Sequence, residues 1–474
     1  MSMRPWILAC VLTLVAGTAT ATTITVGPSG DYADIQPALN AAGEGDTVLV
    51  MSGTYSGEDN TNLSFGGVNK VLRSAGGGRS AIIDGGGLRY GFWFASGEGP
   101  TSVVEGFTVT NGYEYSGGAV YCSESSPTFI DCTLSNCTSE YGGAAYLWTC
   151  SAAFTNCTFS GNQATGDGWG GAVYCEHCSS VFTDCTFSDN SSVHYGGAIH
   201  CYDADPTLIG CAFTGNSAIN HGGGLYCTEG SDPVLTGCTF TGCSAGIGMG
   251  MYTTAGSAPA LMDCGFYDST GPNVVYCEYG APTFTDCTFM DNTGDYCGGA
   301  YVYESVSEFT RCVFSGNIVT AGHGGGGALY CDYAAPVLTN CTFVANGADG
   351  VGGTIFVRES SPSFTNCIVA HGVSGPAVDC DEGYTNDPAF DCSNVYGNAG
   401  GDWVGCIAGQ AGISNNMNLD PLFCDLPGGD FTIDASSPCA AAQSPVCGLI
   451  GALDVGCDSP VEAMSWGAIK SLYR

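Results

Sequence analysis

Residues 117–137 read GGAVYCSESSPTFIDCTLSNC, residues 170–190 read GGAVYCEHCSSVFTDCTFSDN, and residues 326–346 read GGALYCDYAAPVLTNCTFVAN. The same unit opens at 117, 142, 170, 196, 222, 248, 272, 298, 326, 352 and 375, ten intervals over 258 residues, about 26 apiece. A fixed period in this range marks a solenoid or array, and it settles the fold before any local reading. Each unit holds short β-branched or aromatic runs bounded by Gly, Asn, Asp or Ser, with no helical periodicity. Two or three short strands per unit are too few for a four-stranded blade. They make one coil of a single-stranded parallel β-helix, all-β, of about 11 regular coils plus irregular end coils. The rise per coil is then the strand spacing, about 4.8 Å. One coil cannot offset its own ordering entropy; stacked coils share hydrogen bonds and a continuous core.

Alternation along the strand assigns its faces. In Ala-Val-Tyr-Cys, Val120, Val173, Ile199, Leu225 and Leu329 share the inner side with Cys122, Cys175, Cys201, Cys227, Cys277 and Cys331. The opposite parity points outward and holds Tyr121, Tyr146, Tyr174, His200, Tyr226, Tyr252, Tyr276, Val302, Tyr330 and Phe356. In F-T-D/N-C-T-F-S, read as a second strand, the cysteines from Cys132 to Cys392 share a face with the Phe two residues on, and also read as core. Asn162, Asn190, Asn216, Asn292, Asn317 and Asn346 recur at one turn, where stacked amides can hydrogen-bond from coil to coil. Paired glycines open the unit because that turn requires φ > 0.

The units divide the chain. Arg4, the apolar run from Ile7, and Ala19-Thr20-Ala21 read as a secretory signal over residues 1–21. Residues 22–116 read as an N-terminal cap and irregular first coils, with Ile35, Ala38, Leu39 and Ala42 on one stripe of a short capping helix. Residues 117–400 are the repeat array, 401–457 a Cys-rich C-terminal cap, and 458–474 a tail. No later segment is apolar for the roughly 18 residues that a membrane span needs, so no transmembrane segment is expected. The formal net charge is −36, from 9 Lys or Arg against 45 Asp or Glu, and between Gly117 and Cys392 the only Lys or Arg are Arg311 and Arg358. Such a surface repels phosphate backbones and excludes nucleic acid as a partner.

GGAV, GGAI and GGAL, paired with FSGN, FSDN, FTGN, FMDN and FVAN, resemble the repeats of chlamydial polymorphic outer-membrane proteins. More broadly the chain resembles secreted right-handed β-helix proteins of the pectin-lyase-like class, and GPSGDYADIQPALNAAGEGDTVLV looks like that class's N-terminal cap. The resemblance implies the fold, a secreted or surface-associated location in the cell envelope, and either an adhesion role or action on polysaccharides.

Of 29 cysteines, 28 follow the signal. Cysteines in register on adjacent coils, about 4.8 Å apart with parallel Cβ vectors, are poorly placed for disulfides. The two columns are expected to pack as thiols, the alternative being intra-coil bridges such as Cys122 to Cys132. Cys137, Cys150, Cys178 and the C-terminal cluster are the better disulfide candidates. No zinc spacing, phosphate loop or Ser-His-Asp signature appears, and no cofactor is expected. Acidic turns offer oxygen ligands for Ca²⁺, although the RTX calcium repeat is absent.

The candidate site is the outward Tyr stripe (Tyr121, Tyr146, Tyr174, Tyr226, Tyr252, Tyr276 and Tyr330) flanked by acids that include Glu176, Glu229 and Glu278. Aromatic rings at coil spacing form a platform for sugars, and the same rings stacked as a cross-strand ladder stabilise the sheet without any ligand. The expected function is that of an exported, non-catalytic surface or adhesion protein binding a glycan or cell-surface ligand. The alternative is a lyase or glycoside hydrolase, for which carboxylates on adjacent or alternate coils supply candidate pairs.

Overall fold

The computed structural model describes residues 21–320, 325–349 and 352–457. The proposed signal (1–21) and tail (458–474) fall outside these, apart from Ala21. The chain is an all-β right-handed parallel solenoid. Three long sheets of 15, 14 and 12 strands run its length, each strand pairing in parallel with its counterpart one coil on. One coil shows the plan: Thr128–Ile130 lies in the first sheet, Thr133–Ser135 in the second and Ala145–Trp148 in the third.

The stretch read as one second strand is two. Asp131 and its counterparts Asn156, Asp184, Asp263 and Asp286 have φ of 51–55°, a left-handed kink that carries the chain from the first sheet to the second. Asn and Asp tolerate that conformation, so an ordinary strand pattern conceals a corner. The cysteine column sits inside this corner. Cys157 Sγ donates to the carbonyls of Thr155 (3.4 Å) and, one coil back, Phe129 (3.6 Å), and Cys185 to Cys367 repeat most of this pairing.

Stacking in register governs the interior. Eight phenylalanines from Phe159 to Phe343 form one pile, with centroids 4.4–5.1 Å apart and planes within 4–9°. The expected asparagine turn is a buried ladder: Asn162 Nδ2 donates to Asn190 Oδ1 (2.9 Å), and Asn190 Nδ2 to Asn216 Oδ1 (2.9 Å). The paired glycines serve two needs. Gly142 has φ +63° and a Cβ there would lie 2.0 Å from the Ala145 carbonyl, while a Cβ on Gly143 would lie 2.2 Å from the Gly171 carbonyl of the next coil.

At the N-terminal end the helix α1 (Ile35–Ala41) buries Ile35, Ala38 and Leu39, as its stripe predicts. Lys70, itself buried, donates from Nζ to the Leu39 carbonyl near the helix end (2.6 Å). At the other end Ile407 is buried in the core and Trp403 packs edge-on against Phe390. Residues 423–457 then turn back along the outer face of the second sheet. There Phe431, Ile433, Ile450 and Ala452 cover Val313, Val344 and Ile368, and Asn340 Nδ2 donates to the Leu449 carbonyl (2.7 Å).

Three disulfides tie this end: Cys380–Cys406, Cys392–Cys447 and Cys424–Cys457. Cys392 therefore leaves the thiol column, because the returning segment brings Cys447 to it. Cys137, Cys150 and Cys178, read as disulfide candidates, are buried thiols, as is Cys439.

Candidate functional site

The third sheet carries the tyrosine column in register: Tyr121, Tyr146, Tyr174, His200, Tyr226, Tyr252, Tyr276, Tyr301, Tyr330 and Phe356. Tyr301 stands where Val302 was expected, and Val302 is fully buried inside. The stretch Ala-Tyr-Val-Tyr fits either parity, so alternation alone could not choose.

The column is not an open platform. From Tyr121 to Tyr174 and from Tyr226 to Tyr330 the rings lie parallel within 5–19°, with centroids 4.4–5.6 Å apart, so each face is covered by the next ring. Tyr174, Tyr226, Tyr252 and Tyr330 are buried and Tyr121, Tyr146 and Tyr276 half-buried. Tyr141 and Trp169, which end the short strands Thr138–Tyr141 and Gln163–Trp169 beside the sheet, and Tyr195 and His221, which bridge in the same row, pack against the column.

The flanking acids separate into two columns. Glu176, Glu278 and Asp332 end their strands and receive tyrosine hydroxyls from one coil back: Tyr146 to Glu176 (2.6 Å), Tyr252 to Glu278, and Tyr301 to Asp332 (2.7 Å). Burial first, and then the carboxylate, push the Tyr301 phenol up. Glu229, with Glu124, Asp203, Glu304 and Glu359, occupies the next residue, where φ is 43–54°, and points into solvent away from the stack.

A second set of tyrosines, absent from the sequence reading, lies along this outer edge in the C-terminal half. Tyr279, Tyr333 and Tyr384 are exposed and Tyr303 half-buried. They meet edge to face in a zigzag, Tyr279–Tyr303 at 5.6 Å, Tyr303–Tyr333 at 6.2 Å and Tyr333–Tyr384 at 6.5 Å. The Arg358 guanidinium lies 5.8 Å from the Tyr333 ring and 5.9 Å from that of Tyr384. Its Nε and Nη2 are held by both oxygens of buried Asp332, at 2.7 and 2.5 Å. Arg311 is on another turn, paired with Asp286.

At Tyr333, its third ring, the zigzag borders a depression of about 580 Å³ that Glu304 and Glu359 also line. It ends at a cleft of about 490 Å³ between Val378 and Cys406, lined by Asp379, Asp381, Glu382, Tyr384 and Asn386. Asp379 takes the coil position after Phe356, so it closes the aromatic column with a half-buried carboxyl. Burial raises its pKa, with Glu382 and Asp381 adding to the effect. Among the described residues no three His, Cys, Asp or Glu converge closely enough to hold a metal ion, and no helix is long and apolar enough to cross a membrane.

Parallel coils with a stacked interior, an aromatic edge and an acidic cleft define a β-solenoid with one decorated side. The chain belongs to the right handed beta helix family, whose model matches residues 80–223 and 171–343, together more than half its length. No curated protein sequence matches it. Among solved structures it is similar to ORF18 of Geobacillus virus E2 (14% identity, 69% of this chain and 57% of that one, TM-score 0.37). It is also similar to a mannuronic acid specific polysaccharide family 6 lyase from human gut microbiota (12%, 84% and 91%, TM-score 0.39). A third is the A-module of the Azotobacter vinelandii mannuronan C-5 epimerase AlgE4 (14%, 76% and 92%, TM-score 0.35). The chain spans 57% of the length of the viral protein. At these identities the likeness extends to the fold alone.

Proposed function

We propose that this is an exported, non-catalytic solenoid that binds a glycan along the exposed edge formed by Tyr279, Tyr303, Tyr333 and Tyr384. The observation that carries the reading is the zigzag itself: tyrosines set edge to face, three of them exposed, running into a cleft. Exposed aromatic rings with a hydroxyl at the tip suit sugars, which present apolar C–H faces and a polar rim. The buried column serves instead as the ladder that keeps successive coils in register. Secretion and a place at the cell surface, as in the proteins whose repeats these resemble, belong to the same proposal. The test is titration of the full chain with neutral and charged oligosaccharides. Replacing Tyr333 and Tyr384 together by Ala is expected to weaken binding at least tenfold, and Tyr174→Phe in the buried column to leave it unchanged. Binding that survives the double replacement would overturn the assignment.

The second reading, a polysaccharide-active enzyme, is favoured by the place of Asp379, a half-buried carboxyl lining the cleft where the aromatic edge ends, which burial shifts upward, the direction that suits a general acid. It requires release of new sugar ends by the purified chain, abolished by Asp379→Asn.

A further inference from the structure

We propose that a notch in the turns before the third sheet, over Tyr276 and Tyr301, binds the flat aryl ring of a small neutral molecule. It lies on the margin of that sheet opposite the tyrosine zigzag and stands independently of the glycan reading. The notch begins as missing chain. Between the ladder position and the third sheet the turn has four residues in 244–247 and four in 293–296, but in the coil between them only Thr270 and Gly271. Gly271 pairs with Gly294 and Val275 with Ala300, so Asp295 and Tyr296 have no counterparts one coil back. The row that covers the tyrosine column therefore loses a rung. Tyr195 and His221 stack on each other (5.5 Å, 20°) and lie flat against Tyr226 (4.9 Å, 21°) and Tyr252 (4.6 Å, 19°). Ile247 bridges to His221 in the same row, and Tyr296 holds the corresponding position two coils beyond Ile247. The coil between them has no residue for the row.

What remains is a cavity of about 360 Å³, with Ile247 and Tyr296 at its ends, Tyr276 and Tyr301 on its floor, and Pro272 between. No charged side chain lines it. The column registers the gap. Tyr276 and Tyr301 are half-buried, whereas Tyr226 and Tyr252, beside the row's own rings, are buried. Coils two apart are separated by about 9.6 Å, which leaves room for one flat ring between Ile247 and Tyr296. Such a ring takes the place on Tyr301 that His221 takes on Tyr252, in the offset stacking that aromatic pairs prefer. A sugar would instead set hydroxyls against Ile247 and Pro272, where they lack partners.

The experiment is calorimetric titration of the full chain with 2-naphthol and with decahydro-2-naphthol, its saturated and non-planar counterpart. 2-Naphthol is expected to bind at least tenfold tighter than the saturated alcohol. Insertion of Asp-Tyr after Gly271 copies the next coil, restores the rung and should abolish that binding. Tyr296→Ala, at an exposed position, should weaken it at least fivefold, while Tyr333→Ala combined with Tyr384→Ala should leave it unchanged. Circular dichroism checks the fold of each variant. Equal binding of the two alcohols, or of neither, would overturn the aryl assignment. Binding of 2-naphthol that survives both the insertion and Tyr296→Ala would place the ring elsewhere on the rod and overturn the site. Self-association that the insertion abolishes would give the notch to a side chain of a second copy, and oligosaccharide binding that it abolishes would give it to a sugar; either result overturns the proposal.

Discussion

His200 shows how a single residue can depart from its column. Every other occupant from Tyr121 to Tyr330 is a tyrosine, and His200 stands nearly perpendicular to Tyr174 (84°) and Tyr226 (81°), with Trp169 and Tyr195 also within 6.2 Å. It is 2% exposed and neither ring nitrogen has a hydrogen-bond partner. Burial lowers its pKa from 6.5 to about 3. The folded state thus resists a proton that the unfolded chain accepts below pH 6.5. The stability linked to this group is full above that value and is lost as the pH falls toward 3, at up to about 1.4 kcal/mol per unit. His200→Phe removes the titration and keeps a ring. Urea midpoints of variant and wild type, measured from pH 7.5 to 4, should separate steadily in the variant's favour below pH 6.5. Parallel curves would show that His200 is protonated without cost, and its burial would then need another account.

At the scale of the element, the asparagine ladder decides register. It runs without a break over Asn162, Asn190 and Asn216, and again over Asn292, Asn317 and Asn346. Between the two runs stand Cys243, whose thiol donates only to the Phe213 carbonyl at 3.7 Å, and Ser269. Asn216 still donates to the Phe187 carbonyl but has no amide beyond it to continue the ladder. Cys243→Asn, at the coil position that holds Asn162, Asn190 and Asn216 in the three preceding coils, extends the first run by one rung. It should stabilise the chain by about 1 kcal/mol, the net value of a buried hydrogen bond. Chemical unfolding reads this directly, and a loss of stability would mean that the gap is a packing requirement. This ladder was legible in the sequence because its residues repeat at one position of the period, as do the Phe and Cys columns and the glycine pair. The corner was not: the Asp or Asn before most of these Cys is a turn residue, but the Cys and the Phe two residues on alternate as one face of a single strand would. Nor was the aromatic edge: Tyr279 and Tyr333 follow a strand, Tyr303 ends one and Tyr384 lies in a loop. No single column of an alignment by period contains them.

For the whole molecule, cohesion and charge oppose each other. Phe piles, thiol corners and the amide ladder run along the axis, so each coil is held chiefly by its two neighbours, as in other solenoids. The disulfides, spanning 26, 55 and 33 residues, fasten only the C-terminal end and its returning segment. Against this stands a net charge of −36 distributed over the same rod, with few cations to offset it. Self-repulsion of that kind weakens the compact state and is screened by salt. Raising the ionic strength from 0.01 to 0.15 M shortens the Debye length from about 30 to about 8 Å, from several coil spacings to fewer than two. The melting temperature should therefore climb by a few degrees over that range in NaCl. Matched CaCl₂ solutions separate screening from site binding. With no cluster of three metal-ligating side chains among the described residues, calcium at equal ionic strength should raise the melting temperature no more than sodium does, and EDTA should not lower it. A melting point indifferent to NaCl would show that the acidic groups are too far apart, or too well solvated, to oppose folding. A large rise specific to calcium would place a cation site on the rod and would change the reading of its acidic turns from solvated surface to ligand.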